Sequence, residues 1–184
     1  MTIKSLSLGI LFLSVGCLCF NKHALSQKRR LVNFTEISGL IQVNSSIAEN
    51  TTVNGFRTRT GVTKLLTENF GIGFALGTDN YRKSGGGNYN TLPITINASY
   101  YVDPNLSGLK LDAYGGYAVK LFNNLNKGLT AGAGISYSIP VNPGLNLGLQ
   151  TGYNYQKIDF PVNFQLLENF DVGTIRLGLA LTFK

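Results

Sequence analysis

Segments of about ten residues in which apolar residues alternate with polar residues or glycine recur along the chain. The clearest is 145–156, where leucines and then tyrosines occupy most odd positions and Asn, Gly and Gln occupy the even ones. A side-chain period of two is that of a β-strand, whose successive side chains point to opposite faces of a sheet. The pattern predicts eight strands, at residues 35–45, 56–63, 70–77, 92–101, 109–120, 129–139, 145–156 and 174–183.

The first 26 residues have the features of a secretory signal peptide. Lys4 precedes an apolar stretch at 6–20, and Ala24-Leu25-Ser26 places small residues where signal peptidase requires them. We therefore predict cleavage after Ser26. Two alternatives stay open. An uncleaved anchor helix would need about 20 apolar residues, more than the stretch contains. Lipidation at Cys17 would use residues 14–17, which loosely resemble a bacterial lipoprotein cleavage box.

The distribution of rare residues excludes most enzyme classes. Cys, His and Met occur only within the first 23 residues, and the chain has no Trp. After cleavage no thiol nucleophile, Cys/His zinc site or histidine base is left, so we predict no enzyme, no catalytic residue, no cofactor and no metal site. One alternative, a catalytic pair or a calcium site, rests on acidic residues near the predicted longer links: Asp79, Asp159, Glu168 and Asp171.

Charge gives little support to a nucleic-acid partner. The formal net charge is +7, but the basic residues are spread along the chain apart from the run at 28–30. A short basic run just after a cleavage site is typical of a solvated arm. We therefore predict no nucleic-acid partner.

Short and longer links between the predicted strands alternate along the chain, and two of the longer links are much longer than the rest. Residues 64–68, 103–105 and 142–144 are short, whereas 79–90 and 158–169 are long. This alternation is typical of a barrel with turns at one end and loops at the other.

The residue types on the two faces indicate which face points inward. The polar face consists mainly of Gly, Ser, Thr, Asn and Gln with few charged residues, unlike a surface in water. An eight-stranded barrel is only wide enough inside for side chains, so small polar groups fit its lumen. Ten residues with a rise of about 3.3 Å, tilted by about 40°, span roughly 25 Å, the height of a membrane barrel's apolar band. The alternative is an exported soluble β-barrel that binds an apolar ligand.

The signal peptide, the eight strands and the C-terminal sequence at 176–183 resemble the small outer-membrane β-barrel domain proteins of Gram-negative bacteria, of the OmpA or OmpX type. The stretches 92–101 and 113–117 are similar to recurring stretches of that family. The resemblance implies an all-β, eight-stranded antiparallel up-and-down transmembrane β-barrel in the outer membrane. Its domains are a signal peptide at 1–26, a short periplasmic arm at 27–33 and the barrel at 34–184.

The same resemblance implies function and partners. We expect a structural, adhesive or surface-interaction role through the extracellular loops, with outer-membrane lipids as partners and a monomeric state. The ending resembles the signal read by the barrel assembly machinery during biogenesis, carried by Arg176, Gly178, Leu181 and Phe183. An outer-membrane enzyme or a narrow pore is a further alternative.

We predict where two sets of residues lie in such a barrel: charged residues inside the lumen and aromatic residues at the two membrane interfaces. Unpaired charge inside a lumen is costly, so we predict ion pairs that plug it among Glu36, Arg57, Arg59, Lys110, Asp112 and Arg176. Aromatic residues at both membrane interfaces form girdles. We predict Phe70, Tyr100, Tyr137 and Phe183 at the periplasmic rim, and Phe56, Tyr153, Tyr155 and Phe170 at the outer rim.

Overall fold

The computed structural model describes residues 31–46, 52–84, 86–159 and 170–184. They belong to one compact unit, Leu31–Lys184. The predicted signal peptide, residues 27–30 of the predicted arm, Cys17 and Glu168 lie outside the described residues. Within the described ranges, no helix is both long enough and apolar enough to cross a membrane.

The described residues form ten strands that pair into one closed sheet. The first strand pairs antiparallel with the second and with the last, which joins the two edges. The strands are β1 (Leu31–Ser45), β2 (Val53–Leu65), β3 (Phe70–Lys83), β4 (Asn88–Thr91), β5 (Pro93–Tyr101), β6 (Gly108–Ala118), β7 (Leu125–Asn126), β8 (Gly128–Asn142), β9 (Leu145–Ile158) and β10 (Phe170–Phe183).

Eight strand positions make the wall of the barrel. β4 and β5 both pair with β3 and together fill one position, with a break at Leu92. The break precedes Pro93, which has no N–H group to donate to a ladder. β7 is a two-residue strand in the link between β6 and β8 and pairs in parallel with β4. The predicted all-β, eight-stranded antiparallel barrel is therefore confirmed.

The two ends of the barrel differ in their links. Residues 66–69, 102–107 and 143–144 connect strands at one end, which we call the turn end and which also holds Leu31 and Lys184. The opposite end, which we call the loop end, is where β1 ends and β2 begins, β3 ends and β4 begins, β6 ends and β8 begins, and β9 ends and β10 begins.

Large apolar side chains point outward along the long strands, and polar ones point inward. Ile96 and Leu149 are 68% and 70% exposed, whereas their neighbours Asn97 and Gln150 are buried. A soluble barrel with an apolar lumen requires the opposite orientation of the two faces. The structure therefore agrees with a polar lumen inside an apolar wall.

Two boundaries differ from the sequence-based expectation. β1 begins at Leu31, so residues 31–33 of the predicted arm belong to the barrel, where Val32 is buried inside. The predicted long link at 79–90 is mostly strand, because β3 continues to Lys83 and β4 begins at Asn88. The alternation continues there, but its outward residues Asn80 and Arg82 are polar, which made the segment look like a loop.

The turn at 102–107 is fixed by the side chain of Asp103. Its carboxylate accepts hydrogen bonds from the backbone N–H of Asn105 (2.9 Å) and from the hydroxyl of Ser107. The Ser107 and Asn105 hydrogen bonds lower the pKa of the Asp103 carboxyl below its ordinary value. Leu106 takes a positive φ of 63°, which is uncommon for a residue with a side chain, and is buried at the turn end.

Candidate functional site

The middle of the lumen holds seven buried charged side chains contributed by five strands. Four are cations and three are carboxylates: Arg57, Arg59, Lys110, Arg176, Glu36, Asp79 and Asp112. Each is at most 6% exposed, so solvent screens their interactions little. This cluster, which we call the lumen cluster, is the candidate functional site.

Two ion pairs of the lumen cluster join residues that face each other on neighbouring strands. Arg57 on β2 is paired in register with Asp79 on β3 and donates to both carboxylate oxygens, at 2.6 and 2.5 Å. Arg59 is paired in register with Glu36 on β1, and its Nε donates to Oε2 at 3.1 Å. Both pairs hold adjacent strands together from the inside.

The other contacts cross the lumen. Arg176 on β10 donates to Oδ2 of Asp112 on β6 at 2.5 Å, although β9 and β8 lie between these strands in the wall. Glu36 lies between three cations, because Arg176 Nη1 is 3.9 Å and Lys110 Nζ is 3.7 Å from its carboxylate, in addition to Arg59. Side chains from opposite sides of the barrel therefore meet at its axis.

Tyr114 on β6 lies at the centre of the lumen cluster. Its ring faces three guanidinium groups, those of Arg57, Arg59 and Arg176, whose central carbons lie 5.3, 4.4 and 5.1 Å from the ring centroid. Contacts of this kind attract a cation to the negative face of the ring. The Tyr114 hydroxyl accepts a hydrogen bond from Arg57 and donates to Asn154 Oδ1 at 2.8 Å.

Inward-facing glycines make room for these large side chains. A Cβ atom added at Gly134 would lie 2.5 Å from Arg176 Nη2, and one added at Gly152 would lie 3.0 Å from Arg176 Nε. At Gly132 an added Cβ would lie 2.5 Å from the Tyr114 ring. The glycines of the alternating pattern therefore allow an arginine and a tyrosine to lie flat against the wall.

Apolar clusters cover the lumen cluster at both ends. At the turn end, four buried side chains pack together: Val32, Leu65, Tyr101 and Leu106. At the loop end, six buried side chains pack together with Tyr89 against them: Leu40, Val53, Tyr81, Ile158, Phe170 and Val172. The lumen thus changes from apolar to charged and back to apolar along the barrel axis.

The structure places all six residues of the predicted lumen set inside the barrel: Glu36, Arg57, Arg59, Lys110, Asp112 and Arg176. It adds Asp79, which sequence reasoning had assigned to an outer link, and Tyr114, which it had not singled out. The carboxylate that pairs with Arg57 is therefore Asp79, which lies outside the predicted set. Asp79 has the same odd parity as the inward-facing Gly71 and Gly73 on β3, and this is the signal that could have identified it.

Seven of the eight predicted girdle aromatics have outward-facing or partly exposed side chains: Phe56, Phe70, Tyr100, Tyr137, Tyr153, Tyr155 and Phe183. The prediction for Phe170 is wrong. Phe170 is 7% exposed and packs edge-on against Tyr89, with ring centroids 5.0 Å apart. Phe170 and Arg176 are six residues apart on β10, so they point to the same side of the strand.

The residues of the predicted assembly signal all belong to β10. Arg176 is buried in the lumen cluster, and Gly178 follows on the same face, whereas Leu181 and Phe183 lie on the other face. Recognition of this segment by an assembly machinery stays a prediction.

The remaining charged side chains of the described residues lie at the two ends of the barrel. The loop end has five cations and two carboxylates: Arg82, Lys83, Lys120, Lys127, Lys157, Asp159 and Asp171. The turn end has two of each: Lys64, Lys184, Glu68 and Asp103. No group of three or more His, Cys, Asp or Glu that could hold a metal ion lies in the part of the chain that the structure describes.

Comparisons with known proteins give matches among solved structures only. No protein-family model matches the chain. No curated protein matches it. Neisserial surface protein A is 20% identical over 84% of this chain and 96% of that one, with a TM-score of 0.47. The outer membrane protein Ail of Yersinia pestis, in a phospholipid bilayer nanodisc, is 14% identical over 84% and 100%, with a TM-score of 0.49. The outer membrane protein OprG of Pseudomonas aeruginosa is 12% identical over 83% and 95%, with a TM-score of 0.42.

Proposed function

We propose that the protein is an integral β-barrel of a bacterial outer membrane, with a closed lumen and a surface-interaction role at its loop end. The observation that supports this most is the outer wall, which among the described residues is mostly apolar and carries no charge between two charged ends. Lipid is the environment in which such a wall is stable, because outward apolar side chains face hydrocarbon and inward polar groups pair with each other.

The height of the apolar wall fits a membrane. On β10 the outward residues run from Ile175 to Phe183, eight residue steps along the strand. With a rise of about 3.3 Å and a tilt of about 40°, these steps span about 20 Å, close to the apolar band of roughly 25 Å in outer-membrane barrels. The loop end lies outside in this orientation, since short turns face the periplasm in barrels of this kind.

Fractionation of a Gram-negative expression host tests the membrane location. We expect the exported protein in the outer-membrane fraction, and we expect an unboiled sample to migrate faster on an SDS gel than a boiled one. Recovery in the soluble periplasmic fraction, with one mobility before and after boiling, would contradict the proposal.

The closed lumen is a separate part of the proposal. Crossing ion pairs such as Arg176–Asp112 occupy the axis, and the two apolar clusters cover them. An ion moving through would have to separate these pairs without water to replace them, which is costly. We therefore expect no steady conductance in planar bilayers, and a stable anion-selective current would refute the closed lumen while leaving the membrane location intact.

The surface role is supported by the charge at the loop end, where the described residues carry five cations against two carboxylates. Opposite charge increases association rates with anionic partners. We expect cells that display the protein to bind a sulfated polysaccharide more than a neutral one. The variant Lys120→Ala/Lys127→Ala should bind less, whereas Lys64→Ala at the turn end should bind like the wild type; equal binding by all three would contradict the role.

We also propose that the protein is a monomer without enzymatic activity. The buried carboxylates Glu36, Asp79 and Asp112 each accept from a guanidinium group, and apolar side chains separate them from both ends of the barrel. Such carboxylates pair with cations of the barrel rather than meet a substrate.

The monomeric state is tested by measuring the size of the protein in a non-ionic detergent. A dimer would contradict the proposal.

A further inference from the structure

Residues that are paired across five neighbouring strands form a row around the lumen, and several of them have polar side chains. The row lies on the turn-end side of the Arg176–Asp112 pair. Successive backbone pairs join Ser38 to Gly178, Gly178 to Gln150, Gln150 to Ser136, and Ser136 to Lys110. The four polar side chains of the row are buried, with exposures between 2% and 6%. Gly178 has no side chain, and Ser38 packs closely beside it, since a Cβ atom added at Gly178 would lie 2.6 Å from Ser38 Cβ.

The polar atoms of this row have few partners among the described residues. The hydroxyls of Ser38 and Ser136 and both amide atoms of Gln150 are buried without a hydrogen-bond partner. The nearest carboxylate oxygen to Lys110 Nζ is Glu36 Oε1 at 3.7 Å, which is longer than a hydrogen bond. Buried polar groups without partners are rare and costly, so the donors of the row, which are the two hydroxyls, the Gln150 amide N–H and the Lys110 ammonium, require a group that accepts hydrogen bonds.

The charge of the lumen indicates what that acceptor is. The lumen cluster contains four cations and three carboxylates, which leaves one positive charge without a counterpart. Arginine keeps its proton under all ordinary conditions, so three of the four cations are permanent. An uncompensated buried charge is strongly unfavourable, and one monovalent anion would remove it.

We propose that the row formed by Ser38, Gln150, Ser136 and Lys110 binds one small inorganic anion of the size of chloride. The Lys110 ammonium supplies the charge, and the hydroxyls and the Gln150 amide N–H supply further donors. The anion has to be small, because side chains fill the lumen and apolar clusters close both ends. For the same reason it enters during folding rather than by exchange with the folded barrel. This inference does not depend on the surface role or on the membrane location.

Unfolding in two salts tests the proposal. The protein is refolded in detergent in sodium chloride or in sodium gluconate at equal ionic strength, since equal ionic strength gives equal screening of the exposed charges. A ligand that binds only the folded state stabilises it in proportion to the logarithm of its concentration. We expect a higher urea midpoint in chloride, rising with chloride concentration. Equal midpoints in the two salts would overturn the proposal.

Variants assign the effect to the row. Lys110→Met removes the excess charge and the ammonium donor, so the difference between chloride and gluconate should disappear. The matched control Lys120→Met removes an exposed lysine at the loop end and should keep the full difference. A chloride effect of wild-type size in Lys110→Met would overturn the assignment.

A second measurement needs no variant and keeps the proposal falsifiable if Lys110→Met does not fold. The wild-type protein is refolded and crystallised in sodium bromide, and anomalous scattering is measured at the bromine edge. We expect an anomalous peak between Lys110, Ser136 and Gln150. A lumen without an anomalous peak, including one that holds only ordered water, would overturn the proposal.

Discussion

Removal of the Asp79 carboxylate should strongly destabilise the barrel. In the variant Asp79→Ala the Arg57 guanidinium stays buried, with 1% exposure, and loses the two hydrogen bonds at 2.6 and 2.5 Å. Arginine cannot lose its proton to escape the cost. The excess positive charge of the lumen cluster would also rise from one to two.

The expected loss follows from measurements on buried ion pairs. Removing one partner of such a pair costs about 3–5 kcal/mol, because the other charge is left without compensation. This corresponds to a factor of about one hundred to several thousand in the unfolding equilibrium constant, at about 1.4 kcal/mol for each tenfold change. Replacement of both partners by apolar residues, as in Arg57→Met/Asp79→Leu, should recover most of the loss.

Equilibrium urea unfolding in phospholipid vesicles measures the free energy of unfolding. Far-UV circular dichroism and the mobility of unboiled samples on SDS gels report the folded fraction; tryptophan fluorescence does not apply, because the chain has no Trp. The control is Asp159→Ala, which breaks the partly exposed Lys157–Asp159 pair, where Nζ lies 3.7 Å from Oδ1 and the lysine and aspartate side chains are 40% and 19% exposed. Exposed pairs contribute at most about 1 kcal/mol. If Asp79→Ala and Asp159→Ala lost the same stability, the reasoning about the buried pair would be refuted.

Three further predictions concern the wall, its glycines and one turn. Gly134→Ala should destabilise by roughly 1–3 kcal/mol in urea unfolding, because its Cβ would press on Arg176, whereas Gly115→Ala, with nothing within 4 Å of the added atom, should be neutral or slightly stabilising. Leu149→Arg should cost about 2–4 kcal/mol in vesicles, as expected for a charge facing lipid, and a neutral effect would contradict a membrane wall. The pKa of Asp103 is lowered by hydrogen bonds in its turn, so its contribution to stability is present above the ordinary value of 3.8 and is lost as the pH falls through the lowered pKa. In Asp103→Asn the decline of stability in acid should be shallower than in the wild type, and identical pH profiles would contradict this.

The eight wall strands could be predicted from the sequence because their two faces meet different environments, which favour different residue types. A residue on a strand such as β9 faces either hydrocarbon or a narrow lumen, and these two environments select different side chains at every step. The alternation of 145–156 therefore predicted β9 (Leu145–Ile158) almost completely. On β2 the outward face includes Thr58 and Thr60, whose hydroxyls bond to neighbouring threonines, so the contrast between the faces is weaker and the predicted strand was shorter than the observed one.

The sequence was misleading where the barrel extends past the apolar wall. At the loop end the two faces exchange character, because Tyr81 and Phe170 point inward while Asn80 and Arg82 point outward. Residue type read alone therefore assigned Phe170 to a lipid-facing girdle and 79–90 to a loop. Strand parity, which continues unchanged through the inversion, gives the correct side for both aromatic residues.

The ion pairs of the lumen divide into two that register determines and others, such as Arg176–Asp112, that it does not. Arg57–Asp79 and Arg59–Glu36 join residues directly opposite each other on adjacent strands, so a correct register for β1, β2 and β3 suffices to predict them. Arg176 and Asp112 are separated by two strands in the wall, and they meet because glycines 134 and 152 let the arginine cross in front of those strands. That contact depends on the curvature of the closed wall and on which inward positions lack a side chain. A cross-lumen pair thus follows from the closed barrel and its glycines together, whereas the alternation of the sequence determines only that both residues point inward.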